Sequence, residues 1–476
     1  MQVNKINRKT LFLVSAAVIS IAFFIGTVLV DGPVWCVDSE SYTSMDISRE
    51  PLYPLFLMLL RAIFINIPDL YGQASYLFAA AFLQSIIWAF AAYAASKTIY
   101  EMVFPHKGER IAGAFGYLAL ACQFIAPVLN RFIVNRRSMY SECIMTESLA
   151  MPVYVLFILS LYKYETTGKK KYYVLLIIET FIAISLRKQL LIVMIIWFAV
   201  DFFIKRLYRK KNLLRLITLI TTLILIFAAN IVFDRTYNYA LRGYFTEHVG
   251  NSQGRLCTLL YSAEEEDAAF FDEDSERFPG IKDLYLKIYG ECSERGILLE
   301  STADDIGIME LTSHFADSYD IIGYEVMMPI CFDYVKQLHP DYDDVMIRLE
   351  ENELERELAN RLMKEDKADL IRVYLSNLVR AFVYSNASIF PAALVYVSFA
   401  VYGLFVFLLL YNVKLLRKGS DLENSFISKA LTFSAITIIG LVVNAGIVAM
   451  VIFPQGRYMS YGMGLFYTGI MILLPF

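Results

Sequence analysis

LFLVSAAVISIAFFIGTVLV, residues 11–30, is a run of twenty residues without a charge. At about 1.5 Å per residue, such a helix matches the thickness of a bilayer's hydrocarbon core. Lys5, Arg8 and Lys9 precede it as in a signal peptide, but the run exceeds the roughly 7–15 residues of a signal's apolar region. No Ala-x-Ala site follows, so the run is expected to remain as an anchor. Directly beyond it stand Asp38-Ser-Glu-Ser-Tyr42 and Arg49-Glu-Pro-Leu-Tyr-Pro54. Acids, a base and aromatic rings are thereby gathered in a short loop beside the apolar run.

Composition extends that reading to the whole chain. Of 476 residues 57% are hydrophobic and 15% aromatic, and the mean hydropathy is +0.51. Soluble domains hold about 45–50% apolar residues. The expected fold is an all-α polytopic membrane protein. Apolar runs between charged breaks give ten spans, at 11–30, 74–95, 111–129, 147–161, 172–186, 190–204, 213–233, 389–413, 426–453 and 459–474. The stretch 51–67 is short, opens with Pro-Leu-Tyr-Pro and carries Arg61, which marks a helix lying in the interface.

Basic residues orient these spans. Clusters around Lys5, Lys107, Lys170, Arg209 and Lys414 all fall on one side when ten spans are counted, as the positive-inside rule requires. Both termini are then expected in the cytoplasm of a multi-pass cell-membrane protein, with the Asp38 loop outside. Three parts follow: an N-terminal membrane part, 1–233, with an outer loop at 31–50 and the interfacial helix 51–67; an extracytoplasmic domain, 234–388; and a C-terminal membrane part, 389–476.

The outside segment holds 32 acids and 15 bases, against 15 acids and 28 bases elsewhere. This split follows from the topology, so the charge gives no ground for nucleic acid as a partner. Helical spacing of Ile347, Leu354, Leu358 and Leu362 predicts amphipathic helices over 343–385, and 235–342 reads as small mixed or helical structure. The acid runs at 264–267 and 272–274 lack the spacing of a calcium loop and read as a solvated face.

Several chemistries find no motif. Six cysteines include no Cys-x-x-Cys, five of them fall outside in an odd number, and only four histidines occur. No Walker-type glycine loop is present. A carboxylate-bound Mg²⁺ or Mn²⁺ stays open, with its ligands unknown.

Charged residues crowd the outer ends of the spans: Asp38, Glu40, Arg49 and Glu50; Arg131, Arg136, Arg137 and Glu147; Arg187-Lys188; and Arg457-Tyr458. Bases on the outer face run against the positive-inside rule. Anionic lipid headgroups would account for them generally, and a bound phosphate or diphosphate specifically. A carboxylate beside a phosphate clamp suits transfer from a lipid phosphate, whose growing charge needs cations while the incoming hydroxyl needs a base.

These residues resemble the GT-C class of polyprenyl-phosphate-sugar-dependent glycosyltransferases, in particular the protein O-mannosyltransferase and lipid A aminoarabinose transferase branch. The resemblance rests on Asp38-Ser-Glu-Ser-Tyr42, Arg49-Glu-Pro-Leu-Tyr-Pro54, Met145-Thr-Glu-Ser-Leu149 and Arg457-Tyr458. It covers the membrane part loosely. The family's frequent Asp-Glu pair appears here as Asp38-Ser39, and its usual Arg-Pro as Arg187-Lys188. The resemblance implies that Asp38 is the catalytic base and that Glu147 helps shape the site. It implies substrate contacts from Glu40, Tyr42, Arg49, Glu50, Tyr53, Arg136, Arg137, Glu147, Arg187, Lys188, Arg457 and Tyr458. The implied partners are a polyprenyl-phosphate sugar, membrane lipids and a surface glycan, lipid or protein acceptor.

Three other readings stay open. An O-antigen-type polymerase or ligase would use a lipid-diphosphate glycan. A proton-coupled carrier would use the intramembrane Glu179, whereas Asp201 reads as an end pair with Lys205. A membrane scaffold would bind a partner through its acidic domain.

Overall fold

The computed structural model describes residues 7–70, 72–133, 138–208, 213–250, 252–303, 305–363, 367–387, 389, 392–416 and 421–474. It is 81% helical, and no strand occurs among the described residues. Two compact units divide the chain: Met1–Asp234 with Ser385–Asn444 and Gly456–Phe476, and Arg235–Tyr384 with Ala445–Gln455.

In chain order the first helices are α1 (Arg8–Asp31), α2 (Ser39–Thr43), α3 (Leu52–Ile63), α4 (Ser75–Val128), α5 (Glu147–Thr167), α6 (Lys170–Leu186), α7 (Ile192–Tyr208) and α8 (Leu213–Arg242). Helix α1 starts where the Asn7 side chain accepts from the Lys9 N–H and stops at Gly32, whose φ of 67° suits glycine. Helix α3 buries Tyr53, Leu57 and Leu60 on one face, at spacings of four and three.

Helix α4 is a hairpin. Gly108, at φ 78° and ψ 173°, interrupts its helical backbone. Ser96 Oγ donates to Gly116 O at 2.7 Å, although twenty residues of straight helix would separate them by about 30 Å. The sequence-expected spans 74–95 and 111–129 are therefore two arms packed back to back. Gly116 lets the second arm close on α1: a Cβ there would stand 2.3 Å from the Phe12 ring.

Among the described residues, five helices are long and apolar enough to cross a membrane: Arg8–Asp31, Ser75–Phe132, Leu213–Arg242, Ala393–Leu416 and Asn424–Val451. The ten expected spans are not all matched. Helices α6 and α7 run 17 residues each, and Glu147, Lys163 and Glu165 dilute the apolar character of α5. Yet α5 is buried from Glu147 to Tyr162. It is the central helix of its unit, and the Trp88 indole of α4 donates to Ser148 O at 2.7 Å.

The regular structure of the second unit is all helical among its described residues, where the sequence left mixed structure open. Its helices are α9 (Gln253–Tyr261), α10 (Ile281–Glu294), α11 (Ile308–Asp320), α12 (Met328–Leu338), α13 (Asp344–Leu362) and most of α14 (Lys367–Ala387). Leu256, Tyr285, Phe315, Leu354 and Leu358 share one core. Asp343 caps α13 by accepting from the Met346 N–H at 2.8 Å.

The remaining helices are α15 (Ala392–Leu416), α16 (Asp421–Val451), α17 (Gly456–Met459) and α18 (Met463–Leu473). The sequence-expected span 459–474 thus breaks at Gly462, with φ 74°. Gly464 brings α18 onto α4, where a Cβ would lie 2.7 Å from the Cys122 carbonyl. Such small-residue contacts suit helices that pack without a hydrophobic driving force between them.

Candidate functional site

After α1 the chain pairs with the segment leading into α5. Val34 N–H donates to Glu142 O at 2.9 Å, and Ile144 N–H donates to Val34 O at 3.0 Å. Ser39 Oγ locks the join, donating to Ile144 O at 2.8 Å and accepting from Cys36 N–H at 2.7 Å. This places Asp38, at the start of α2, beside Glu147, at the start of α5.

Asp38 does not cap α2. Its Oδ1 accepts from Arg49 Nη2 at 2.8 Å and its Oδ2 from Arg457 Nη1 at 2.6 Å. A local turn sets Arg49: Asp46 Oδ1 accepts from Ser48 N–H at 2.8 Å and from Ser48 Oγ at 2.7 Å. Arg49 Nε donates to Ser41 Oγ at 2.7 Å, and the guanidinium lies 4.6 Å from the Tyr42 ring centre.

Glu147 is fully buried and accepts from Arg187 Nη1. Arg457 Nε stands 3.9 Å from its Oε1. Five side chains therefore alternate in sign: Arg49, Asp38, Arg457, Glu147 and Arg187. Tyr458 lies along this chain, its ring centre 4.5 Å from Arg187 and 4.8 Å from Arg457. Its hydroxyl accepts from Arg457 Nη2 at 2.7 Å. Lys188 adjoins through its backbone, donating to Glu50 Oε1 at 2.7 Å, while its Nζ is 3.7 Å from Asp234. Four cations and four carboxylates are thus brought together.

Burial pushes the Asp38 carboxyl upward, but the guanidiniums of Arg457 and Arg49 outweigh it and hold the group below its ordinary value. Burial pushes the Tyr42 hydroxyl well above its own, so it stays a neutral donor.

Of the residues expected at the site, Asp38, Tyr42, Arg49, Glu50, Glu147, Arg187, Lys188, Arg457 and Tyr458 come together. Tyr53 is fully buried behind them, its ring 5.1 Å from that of Tyr42, and it serves as support. Glu40 is corrected: it is exposed and stands apart from the cluster, because two residues, about 200° of helix, separate its direction from that of Asp38. Arg136 and Arg137 lie outside the described residues. Arg131 pairs with Asp31 at the end of α1 and stands 4.0 Å from Glu142, in a separate cluster. Asp201 pairs with Arg215 at 2.6 Å, and the Lys205 side chain to which the sequence pointed lies outside the described residues.

Asp234, Ser41 and Thr146 were missed. Asp234 ends an apolar run, where an acid reads as a solvated boundary, and nothing in its neighbourhood signals Lys188. Among the described residues no three His, Cys, Asp or Glu side chains converge as a metal-holding group. Part-buried Asp38 and fully buried Glu147 turn oxygens toward arginine.

The chain belongs by its structure to the all-helical class with several helices apolar enough to cross a membrane. No protein-family model, curated protein or solved structure matches it.

Proposed function

We propose that the chain is an integral-membrane glycosyltransferase that moves a sugar from a polyprenyl-phosphate donor to an extracytoplasmic acceptor hydroxyl. The observation that carries this reading is the alternation of Arg49, Asp38, Arg457, Glu147 and Arg187, part-buried around a fully buried Glu147. It sets two carboxylates among three guanidiniums, with Asp38 between Arg49 and Arg457. In this reading about ten spans place both termini in the cytoplasm and the charge cluster at the outer surface.

The reaction requires four coordinated changes. The acceptor oxygen bonds to the sugar's anomeric carbon, and the bond from that carbon to the phosphate oxygen breaks with its electron pair. The acceptor proton passes to Asp38, and polyprenyl phosphate leaves with one more negative charge. Arginine guanidiniums stabilise that charge as it grows. The leaving phosphate needs no acid, so one carboxylate suffices, unlike the two of glycoside hydrolysis.

The deciding experiment is the mass of polyprenyl lipids carried through purification. A monophosphate sugar supports the reading. A diphosphate glycan supports the polymerase or ligase, and absence of any polyprenyl lipid together with no transfer from added donor refutes both.

One observation favours a carrier. Glu179 on α6 is bound by Ser160 Oγ at 3.0 Å, and its second oxygen has no hydrogen-bond partner among the described residues. Glu179→Gln abolishes proton-coupled uptake in a carrier and leaves transferase turnover near normal.

A further inference from the structure

The eight charges of the cluster cancel one another, so a phosphate enters only by taking a cation from a carboxylate. Which cation yields is written in the contacts. Arg49 is held three ways by its own loop: by Asp38, by Ser41 Oγ at 2.7 Å and by the Tyr42 ring. Arg187 is the direct partner of fully buried Glu147, and its loss would leave that acid with only the longer contact. Arg457 differs in kind: it alone reaches both acids, Asp38 at 2.6 Å and Glu147 at 3.9 Å, and its other hold is on the neighbouring Tyr458, whose hydroxyl accepts from Nη2 at 2.7 Å and whose ring lies 4.8 Å away, so leaving Oδ2 does not release it from the cluster. When it turns away, Glu147 keeps Arg187 and Asp38 keeps Arg49.

We infer that Arg457 is a gate on Asp38: the donor's phosphate draws its guanidinium off Oδ2 and thereby frees that oxygen to act as base. This rests on the transferase reading and deepens it. With both oxygens accepting from guanidinium, the resting carboxylate is a poor proton acceptor for a sugar hydroxyl. Donor binding arms it, so the donor binds before the acceptor reacts, and water entering an empty site meets a weak base. The groups facing Asp38 are Arg49, Arg457, Glu147 and Cys36. Loss of one cation leaves the repulsion of Glu147 less opposed, which strengthens the base further.

The test reads Asp38 directly. Carbodiimide attacks the protonated carboxyl, so the pH dependence of Asp38 labelling, followed by peptide mass spectrometry, reports its proton affinity. The full chain in lipid nanodiscs is labelled with and without added polyprenyl phosphate, whose binding is measured in parallel. Release of one close guanidinium moves a carboxyl by roughly 1–3 pK units. Asp38 labelling near pH 6 should therefore rise tenfold or more when the lipid binds. Arg457→Gln should label at the raised rate without lipid and gain little from it. Arg49→Lys should change the starting rate but keep the response.

Lipid that binds wild type without changing Asp38 labelling overturns the gate and leaves the donor assignment standing. A lipid response of full size in Arg457→Gln also overturns it, because the phosphate's own charge would then be the cause. Failure of wild type to bind polyprenyl phosphate removes the donor class itself, and the gate with it.

Discussion

The hydroxyl of Tyr42 lies 3.0 Å from Oγ1 of Thr146, which donates to Glu147 Oε2 at 3.1 Å. Tyr42, in the Asp38 loop, is thus tied to Glu147 through neutral groups, alongside the link that Arg457 makes between the two acids. Tyr42→Phe removes this link and leaves a buried threonine with one partner fewer. A loss of about 1–3 kcal/mol in stability is expected, with turnover lowered and donor affinity close to normal. Thermal unfolding and steady-state kinetics of the variant check both parts, and reduced donor affinity alone would count against the link.

Asp38→Asn preserves shape and removes the base. Turnover should fall by about 10²–10⁴, while donor binding survives. Glu40→Gln, two residues along and exposed, should leave turnover within a factor of two or so, as a surface change does. Near-normal transfer by the first variant, or collapse in the second, would reassign the base.

Arg187→Gln leaves Glu147, which is completely buried, without its direct partner. Removing one side of a buried pair costs about 3–5 kcal/mol. The double variant Arg187→Met with Glu147→Leu should recover most of that loss while remaining inactive. Melting temperatures in detergent distinguish the cases; equal stability of wild type and the single variant would show that the pair contributes nothing to the fold.

Glu355 on α13 is pushed up to about 8 by burial, with Glu351 nearby adding repulsion, and Glu351 is itself pushed up to about 7. A carboxyl raised in the folded state holds its proton longer there than in the unfolded chain. Stability of the second unit is then greatest near pH 4.5 and falls as pH rises toward 8. Glu355→Gln should flatten that slope and slow hydrogen exchange in α13 at pH 8, by an amount on the order of a few kcal/mol. A wild-type exchange rate that is no faster at pH 8 than at pH 5, after correction for the chemical rate, would contradict the assignment.

How far these features were legible depended on the range of the interaction. Arg49 follows Asp38 by eleven residues, and the intervening Ser41, Asp46 and Ser48 are turn formers, so their meeting is readable locally. Arg457 carried only a short motif, and its place beside Asp38 depends on how α17 and α18 fold against α4. The α4 hairpin was half visible: charged residues around 107–110 marked a break, but not that one glycine would suffice to reverse the chain. Glu40 shows the opposite case, since a carboxylate of the right type in the right loop was turned away by about half a turn of α2. In the second unit the polar, acid-rich segment from 235 to 342 carries its apolar contacts between helices distant in sequence, so periodicity alone left its class undecided.

Asp38 and Arg457 are separated by 419 positions. At about 5–20 residues per second, the ribosome delivers the second roughly 20–80 s after the first. From the delivery of Arg187 to that of Arg457, Arg49 is the one cation of the five-membered alternation on Asp38 and Arg187 the one on Glu147. A nascent chain that stalls before α17 keeps one guanidinium on each acid but lacks the one that the two share. The four-residue helix α17 is thus the last part of the cluster to be made, and the five-membered alternation is complete only once it has arrived.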